Sequence, residues 1–535
     1  MEEVVIVGAG PVGMTAAALL AASGVRAVVL EANNTTSGDP KAISIDDESL
    51  RTYADAGAGD AVLRIVSPGT GTRYFDRNGA MSFHARGPGP YRLGHPFKNP
   101  FAQPDLERVL SSVLHADPSV DLRFGTRVTG IDQYGGRVTV RVASDAGDDT
   151  ITSRYVIGAD GGRSTVRQSL GITMSGRSYD EPWLVADTLG DPHRERYGMH
   201  LGIPERPTVI IPGRNGRCRY EFLLFPGEGL PGETPRPELI AKLLAPYREI
   251  TPDEVERAVV YQFNGLLADR WREGDVFLAG DAAHMMPPFA GQGLNSGLRD
   301  VANLCWKLAD VLHGRLDAAV LDSYEAERAP HARASVRLSE KLGRVVMTTS
   351  RRLAESRDRI VAEALATDEG RDFFEQMRYR PSMHLTRGLV APAPETAEVV
   401  GRPVPQPRAF AMAASEVRYL DAVTGYRWSV LGVGVTGQAW RAAGGLAEAL
   451  GAARVHVCVA DELPDAVPDG VEVLVDVDGM LDEAFAPHRG GFLLVRPDHV
   501  IAAAWQPGAE GPVAAAIDRW TARAGHPAAG SAGKP

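Results

Sequence analysis

The chain has 535 residues, 44% hydrophobic and 23% charged, an ordinary globular balance too long for one core, so about three or four domains are expected. Its 57 Lys and Arg against 68 Asp and Glu leave a net charge of −11 with no basic block, which argues against nucleic acid and anionic membranes as partners. The widely spaced Cys218, Cys305 and Cys458 form no C-x-x-C, which argues against a disulfide framework, a zinc knuckle or a dithiol pair, and no metal site is expected.

The N-terminus enters a strand without a leader, and no apolar run reaches the ~18 residues of a membrane helix, so a cytoplasmic protein is expected. Val4 to Val7 is a short apolar run, the pattern of a buried parallel strand. A Gly-rich turn follows, then a helix over Met14 to Ser23, then a second buried strand over Ala27 to Leu30 closed by Glu31: a βαβ unit. Residues 73–100 lack periodicity. Helix returns at Asp105 to Leu114, and strands follow at Leu122 to Phe124, Val138 to Val142 and Tyr155 to Ile157. From Tyr179 to Gln262 the chain reads as mainly β. Gly274 to Gly280 is another buried strand running into a Gly-rich turn and a long helix from Leu294 to Leu312. More helix is expected from Asp322 to Leu365. The Pro-rich stretch Pro392 to Pro407 reads as a linker, Arg408 to Trp520 as a separate α/β domain, and the tail after Ala522 as frayed.

Gly8-Ala9-Gly10-Pro11-Val12-Gly13 places G-x-G-x-x-G between strand and helix. Gly8 allows the tight turn, Gly10 the approach of a pyrophosphate, and Gly13 close helix–strand packing, while Glu31 is placed to accept a ribose hydroxyl. A second fingerprint, Gly432 to Gly437 with Asp461 further on, is followed by a poor helix start and reads as a strand-end loop. Two further strand ends carry Asp160-Gly161 and Gly280-Asp281. The latter continues through Pro287-Pro288 and Gly291-Gln292-Gly293-Leu294-Asn295 into a helix. Asp281 can bind polyol hydroxyls, and the N–H groups of Gly293 to Asn295 can stabilise negative charge at a helix N-terminus. An Asp N-cap with a helix entry loop accounts for each piece alone, but not for three Gly-rich strand ends in one chain.

These three motifs resemble those of the single-component flavin-dependent aromatic hydroxylases, and within them the 3-(3-hydroxyphenyl)propionate hydroxylase group. Lys41-Ala42-Ile43-Ser-Ile-Asp46-Asp47-Glu48, Phe101-Ala-Gln103-Pro104, Arg299-Asp300-Val-Ala-Asn303-Leu-Cys-Trp306-Lys307 and Tyr324-Glu325-Ala-Glu327-Arg328 match in order. The resemblance implies an α/β fold with a Rossmann-like FAD-binding domain (1–72, 101–178 and 271–395). It adds an inserted mainly-β substrate domain (73–100 and 179–270) and a thioredoxin-like C-terminal domain without its C-x-x-C (396–535), used for packing and dimer support.

The resemblance assigns cofactor contacts to Gly8, Gly10, Pro11, Val12, Gly13, Glu31, Lys41, Ala42, Gln103, Asp160, Gly161, Gly280, Asp281 and Gly291. Pro288, Gly293, Leu294 and Asn295 would face the isoalloxazine ring and form the catalytic set. Lys41 stands where the family usually has Arg, losing the bidentate fork toward a phosphate. The implied cycle uses NADPH or NADH as transient reductant and O2, with a C4a-hydroperoxide donating oxygen to a phenolic ring. The expected substrate is a small phenylpropionate-like acid. A tailoring hydroxylase of polycyclic natural products and a non-catalytic flavin-binding protein are the alternatives.

The group that deprotonates the phenol is not legible: Ile43 stands where phenol hydroxylase-like relatives carry an aspartate. Asp46 and Asp47 are near, but an acidic pair before Leu50 also makes a helix start. Tyr220, Tyr261 and His200 are pocket candidates from the β region, against the plainer reading of each as a buried polar residue with its partners satisfied. Arg217 and Arg219 share one face of a strand by period two, so Arg219 could bind a substrate carboxylate, against the plainer reading of a solvated strand face.

Overall fold

The structure, a computed structural model, describes residues 1–87, 91–458 and 468–521. They form two compact units, residues 1–302 with 328–382, and residues 303–327 with 383–535.

The first unit holds two large sheets. In one, Arg272–Glu273, Val276–Leu278, Gly147–Gly158, Glu2–Val7, Ala27–Leu30 and Val120–Arg123 lie side by side in that order, the last five parallel. Val4, Val5 and Ile6 are fully buried, as an apolar strand covered on both faces must be. The helix Pro11–Ala22 follows the first strand, with Gln103–His115 packed on it. The antiparallel hairpin Arg127–Tyr134 and Arg137–Ser144 leads into Gly147–Gly158. Because the strands run parallel, Val7, Leu30, Gly158 and Leu278 all end at one edge, so the turns at Gly8, Asp160 and Gly280 emerge there.

The second sheet runs in the order His284–Met285, Val255–Ala268, Met174–Thr188, Cys218–Leu223, Thr208–Pro212, Gly198–Leu201, Thr72–Phe75 and Met81–Ala85. One face packs Leu184, Ile210, Tyr220, Phe222 and Val260 against the helix residues Leu239 to Leu244. The other gathers Trp183, Val209, Ile211, Leu223 and Phe263 with Phe289 and Met347. The helix expected over Asp322 to Leu365 is two helices, Ser323–Val346 and Arg351–Leu365, the second capped by the Ser350 side chain accepting from the Leu353 N–H. A cap of this kind restarts a helix after a break that apolar periodicity does not report.

In the second unit, seven strands order as Glu416–Tyr419, Arg408–Ala411, Val471–Asp476, Ala453–Cys458, Ser429–Val433, Gly491–Val495 and Ile501–Trp505. Trp306, Trp428, Trp440 and Trp520 pack on one face, Val400, Val404, Leu431 and Phe485 on the other. The stretch read as a linker is therefore partly core: Val400 and Val404 are buried and the Gly401 N–H donates to the Ile501 carbonyl. Proline content shows a lack of helix, not a lack of contacts. Trp440 lies over Gly432, where a Cβ would come within 2.6 Å of its ring. This glycine thus makes room for a side chain of its own domain. Asp461 and the tail after Ala522 lie outside the described residues.

Candidate active site

The three Gly-rich strand ends interlock through contacts that only glycine permits. Gly8 has φ +102°, and a Cβ there would lie 2.5 Å from the Ala159 carbonyl oxygen; at Gly13 it would lie 1.9 Å from the Gly8 oxygen. At Gly297 it would meet Val12 at 2.7 Å and the Gly280 backbone at 3.0 Å. Gly10, by contrast, faces open space, with nothing within 4 Å of an added Cβ. That is the arrangement a pyrophosphate needs: two packed glycines hold the turn while the third leaves the approach free. Pro11 at the first helical position has no N–H to lose, and the first helical bond is Met14 N–H to the Gly10 carbonyl. The helix therefore starts with donors and the positive end of its dipole directed at the turn. Glu31 lies beside it, accepting from the Ala9 N–H at 3.0 Å.

The Gly280 turn is fixed from the helix behind it. Asp300 Oδ2 accepts from the Gly280 N–H at 3.0 Å and lies 2.7 Å from His284 Nε2, while Arg328 Nε donates to its other oxygen at 3.0 Å. Burial works against this charge, but His284 and Arg328 outweigh it and hold Asp300 below the usual carboxylate range. Asp281, one residue past Gly280, accepts no hydrogen bond among the described residues and is solvent-exposed. The surrounding protein still raises its carboxyl above the ordinary value, against the His284 and Lys41 charges. An unpartnered carboxylate beside the phosphate turn fits a polyol such as the ribityl chain of FAD.

At the second helix entry, the first helical bond is Ser296 N–H to the Gln292 carbonyl, so the N–H groups of Gly293, Leu294 and Asn295 precede the ladder. Gly291 (φ +63°) and Gly293 face open space, and Pro288 is partly buried just before them. The Asn295 side chain accepts from Asp46 N–H at 3.0 Å and Ser49 Oγ at 2.8 Å, and donates to the carbonyls of Gly291 at 2.7 Å and Ser44 at 3.2 Å. Arg299, one turn further along, is ion-paired to both Asp46 and Glu48.

Residues 1–339 match a family model described as FAD binding domain, and residues 401–520 one described as HcaD C-terminal domain. The 3-(3-hydroxy-phenyl)propionate/3-hydroxycinnamic acid hydroxylase 2 of Burkholderia vietnamiensis is 37% identical over 513 residues, 94% of this chain and 93% of its own. This chain belongs to the FAD-dependent aromatic hydroxylases. The corresponding hydroxylase of Mycolicibacterium smegmatis is 35% identical over 515 residues, covering 94% of this chain and 90% of its own. The fold is that of the flavin-dependent monooxygenase PieE in complex with FAD and substrate (TM-score 0.80, 24% identity, 97% of this chain and 99% of that one). Aklavinone-11 hydroxylase shares it as well (TM-score 0.76, 24% identity, 97% and 98% covered).

The candidate site residues of this aromatic hydroxylase from the β region are engaged within the protein. Arg219 is neither solvated nor free: it is 5% exposed, pairs with Asp187 at 2.7 Å, and donates to the carbonyls of Lys41 at 2.7 Å and of Pro40. Tyr220 points to the opposite face, where its hydroxyl donates to Asp191 Oδ2 at 2.9 Å inside the apolar core. Tyr261 accepts from Arg257 at 3.0 Å. His200 is buried and pushed down to about 3 by burial and the Lys98 charge, so its ring is neutral. Asp160 accepts from Ser164 Oγ at 2.5 Å and Val166 N–H at 3.1 Å, with Gly161 (φ +79°) turning the chain beside it. Gln103 bridges the Ala42 N–H and Glu107, each at 2.7 Å.

Asp46 is the N-cap of Asp47–Asp55, accepting from the Ser49 N–H at 3.0 Å. Asp47 beside it is partly buried, and burial with the charges of Asp46 and Glu48 raises it to about 7 against Arg380 and Arg299. No helix among the described residues is long and apolar enough to cross a membrane, and none of them gather into a group of His, Cys, Asp and Glu suited to a metal.

Proposed function

We propose that this hydroxylase acts on a small phenolic acid of the phenylpropionate or hydroxycinnamate type, consuming NAD(P)H and O2. The observation that carries the substrate class is the near end-to-end likeness to hydroxylases named for those acids, at 35–37% identity. FAD, when bound, supplies the two-electron relay from the nicotinamide and the activation of oxygen.

The chain's own groups do the rest. The turn Gly8 to Gly13 would hold the pyrophosphate, Glu31 a ribose hydroxyl and Asp281 the ribityl chain. Lys41, Ala42, Gln103, Asp160, Gly161, Gly280 and Gly291 complete the cradle. The N–H groups of Gly293, Leu294 and Asn295, with Pro288 before them, would stabilise negative charge on the flavin once it is bound. Phe289, Trp183 and Phe263 exclude water beside them, their rings 5.1–5.8 Å apart. Asp47, held at about 7, is matched to take up a phenol proton near neutrality. The three-part domain division, a homodimer and a cytoplasmic location belong to the same proposal.

The test is a screen of purified yellow protein with phenolic acids and polycyclic phenols. NAD(P)H consumption should be stimulated by the acids, with a product one oxygen heavier. Stimulation by polycyclic phenols alone would replace this reading with the natural-product alternative.

A further inference from the structure

A phenolic acid carries an alkyl carboxylate that a water-excluding site must neutralise, and Arg219 is occupied by Asp187 and two backbone carbonyls. Two other cations, Arg380 and Lys98, keep N–H donors without a hydrogen-bond acceptor among the described residues. Arg380 is 20% exposed and lies with its guanidinium 3.4 Å from the centre of the Phe97 ring. Its side chain makes no hydrogen bond among the described residues. Asp46 is 3.9 Å away, and its two oxygens already serve Ser49 N–H and Arg299.

The segment carrying Arg380 is held on both sides. The Tyr379 and Tyr74 hydroxyls are 3.3 Å apart, and His331 lies close to Pro381 and to the Arg380 charge. The guanidinium, paired at 3.9 Å with Asp46 and near the Asp47 and Glu48 carboxylates, makes no hydrogen bond among the described residues.

Lys98 directly follows Phe97. Its Nζ donates to Thr72 Oγ1 at 3.1 Å, leaving the ammonium's other two donors without an acceptor among the described residues. Its Nζ lies over Gly198, where an added Cβ would be in ordinary contact at 3.5 Å. Gly198 pairs with Thr72, and the next residues on that face of the sheet are His200, Tyr74, Val209 and Glu221. Burial, with a smaller contribution from the Arg380 charge, lowers Lys98 to about 8 against the Glu221 carboxylate. Glu221 is the nearby anion; it too makes no hydrogen bond among the described residues, and burial favours its neutral form.

We propose that Arg380 and Lys98 together anchor the substrate carboxylate, Arg380 through paired N–H donors and Lys98 as a point charge. The inference rests on the phenolic-acid reading and identifies the residues that select acids over neutral phenols.

The experiment compares 3-(3-hydroxyphenyl)propionate with its neutral alcohol, 3-(3-hydroxyphenyl)propan-1-ol, in FAD-loaded wild type, Arg380→Gln, Arg380→Lys and Lys98→Met. Both turnover and the flavin spectral change on binding are read. Arg380→Gln should raise KM for the acid about 10- to 100-fold and shift that for the alcohol less than about threefold, with KM for NAD(P)H unchanged. Lys98→Met should do the same more weakly, and Arg380→Lys should recover part of the loss.

Equal changes for acid and alcohol would overturn the anchor while leaving the phenolic-acid reading intact. A wild type that neither turns over the acid nor changes spectrum with it would overturn both. If Arg380→Gln loses FAD, Arg380→Lys decides: an acid-selective rise in KM supports the anchor, and parity refutes it.

Discussion

The Asn295 side-chain carbonyl accepts the Asp46 backbone N–H at 3.0 Å, tying the helix entry at Gly293 to the acidic turn that opens Asp47–Asp55. The same side chain makes three further hydrogen bonds, to Ser49, Ser44 and Gly291. It is 1% exposed, so nothing replaces those partners when it is removed. Asn295→Ala should lower stability on the order of 3 kcal/mol, the cost of several buried groups left unpaired. Chemical denaturation of the FAD-loaded enzyme measures it, and a loss below about 1 kcal/mol would show the network to be incidental.

Gly10 and Gly13 should separate binding from folding. Gly10→Ala adds a methyl to open space. The flavin-free protein should keep its denaturation midpoint while FAD binds at least about tenfold more weakly, about 1.4 kcal/mol. Gly13→Ala drives a methyl into the Gly8 carbonyl and should destabilise the flavin-free protein itself by about 1–3 kcal/mol.

Asp47 makes a pH-dependent prediction. Its carboxyl is raised from 3.8 to about 7, so between those values the folded chain holds a proton that the unfolded chain releases. Its contribution is present at low pH and is lost as pH rises through about 7. Asp47→Asn should therefore gain stability over wild type on going from pH 4 to pH 8, on the order of 1–2 kcal/mol after allowance for partial exposure. If Asp47 takes the phenol proton, kcat should rise with pH through about 7 in wild type, and that limb should vanish in the variant.

In the second unit, Glu327 shows the opposite sign. Burial opposes its charge, but Arg496 and Lys307 at 2.9 and 2.8 Å outweigh burial and hold it at about 2 against an ordinary 4.5. Its stabilisation is complete above about pH 4.5 and is lost as pH falls through about 2. Glu327→Gln leaves Arg496 and Lys307 under-compensated in a buried site and should cost about 3–5 kcal/mol at pH 7. Denaturant midpoints at pH 7 and pH 3 should show the difference narrowing in acid.

The Gly-rich turns were readable because their logic is local: Gly8 to Gly13 and Gly280 to Gly293 are each a short stretch where a strand stops and a helix starts. Arg219 was misread because period two places it on a face without saying what covers that face. The covering carbonyls come from Pro40 and Lys41, 178–179 residues away. Arg380 gave no signal, since it lies in an irregular segment and its setting depends on Phe97, Tyr74 and His331 from three other parts of the chain. Glu327 was visible as part of a motif, but its partner Arg496 is 169 residues distant. Tertiary pairing over such separations leaves no periodicity to read.

The most direct test of the account is oxygen transfer itself. Purified FAD-loaded enzyme should be given NADPH or NADH, 3-(3-hydroxyphenyl)propionate and isotopically labelled O2, and the product mass followed alongside nicotinamide oxidation. The account predicts a hydroxylated acid bearing one labelled oxygen, formed in step with nicotinamide consumption. Unlabelled substrate, with nicotinamide oxidation unchanged by this or any other phenol, would contradict it.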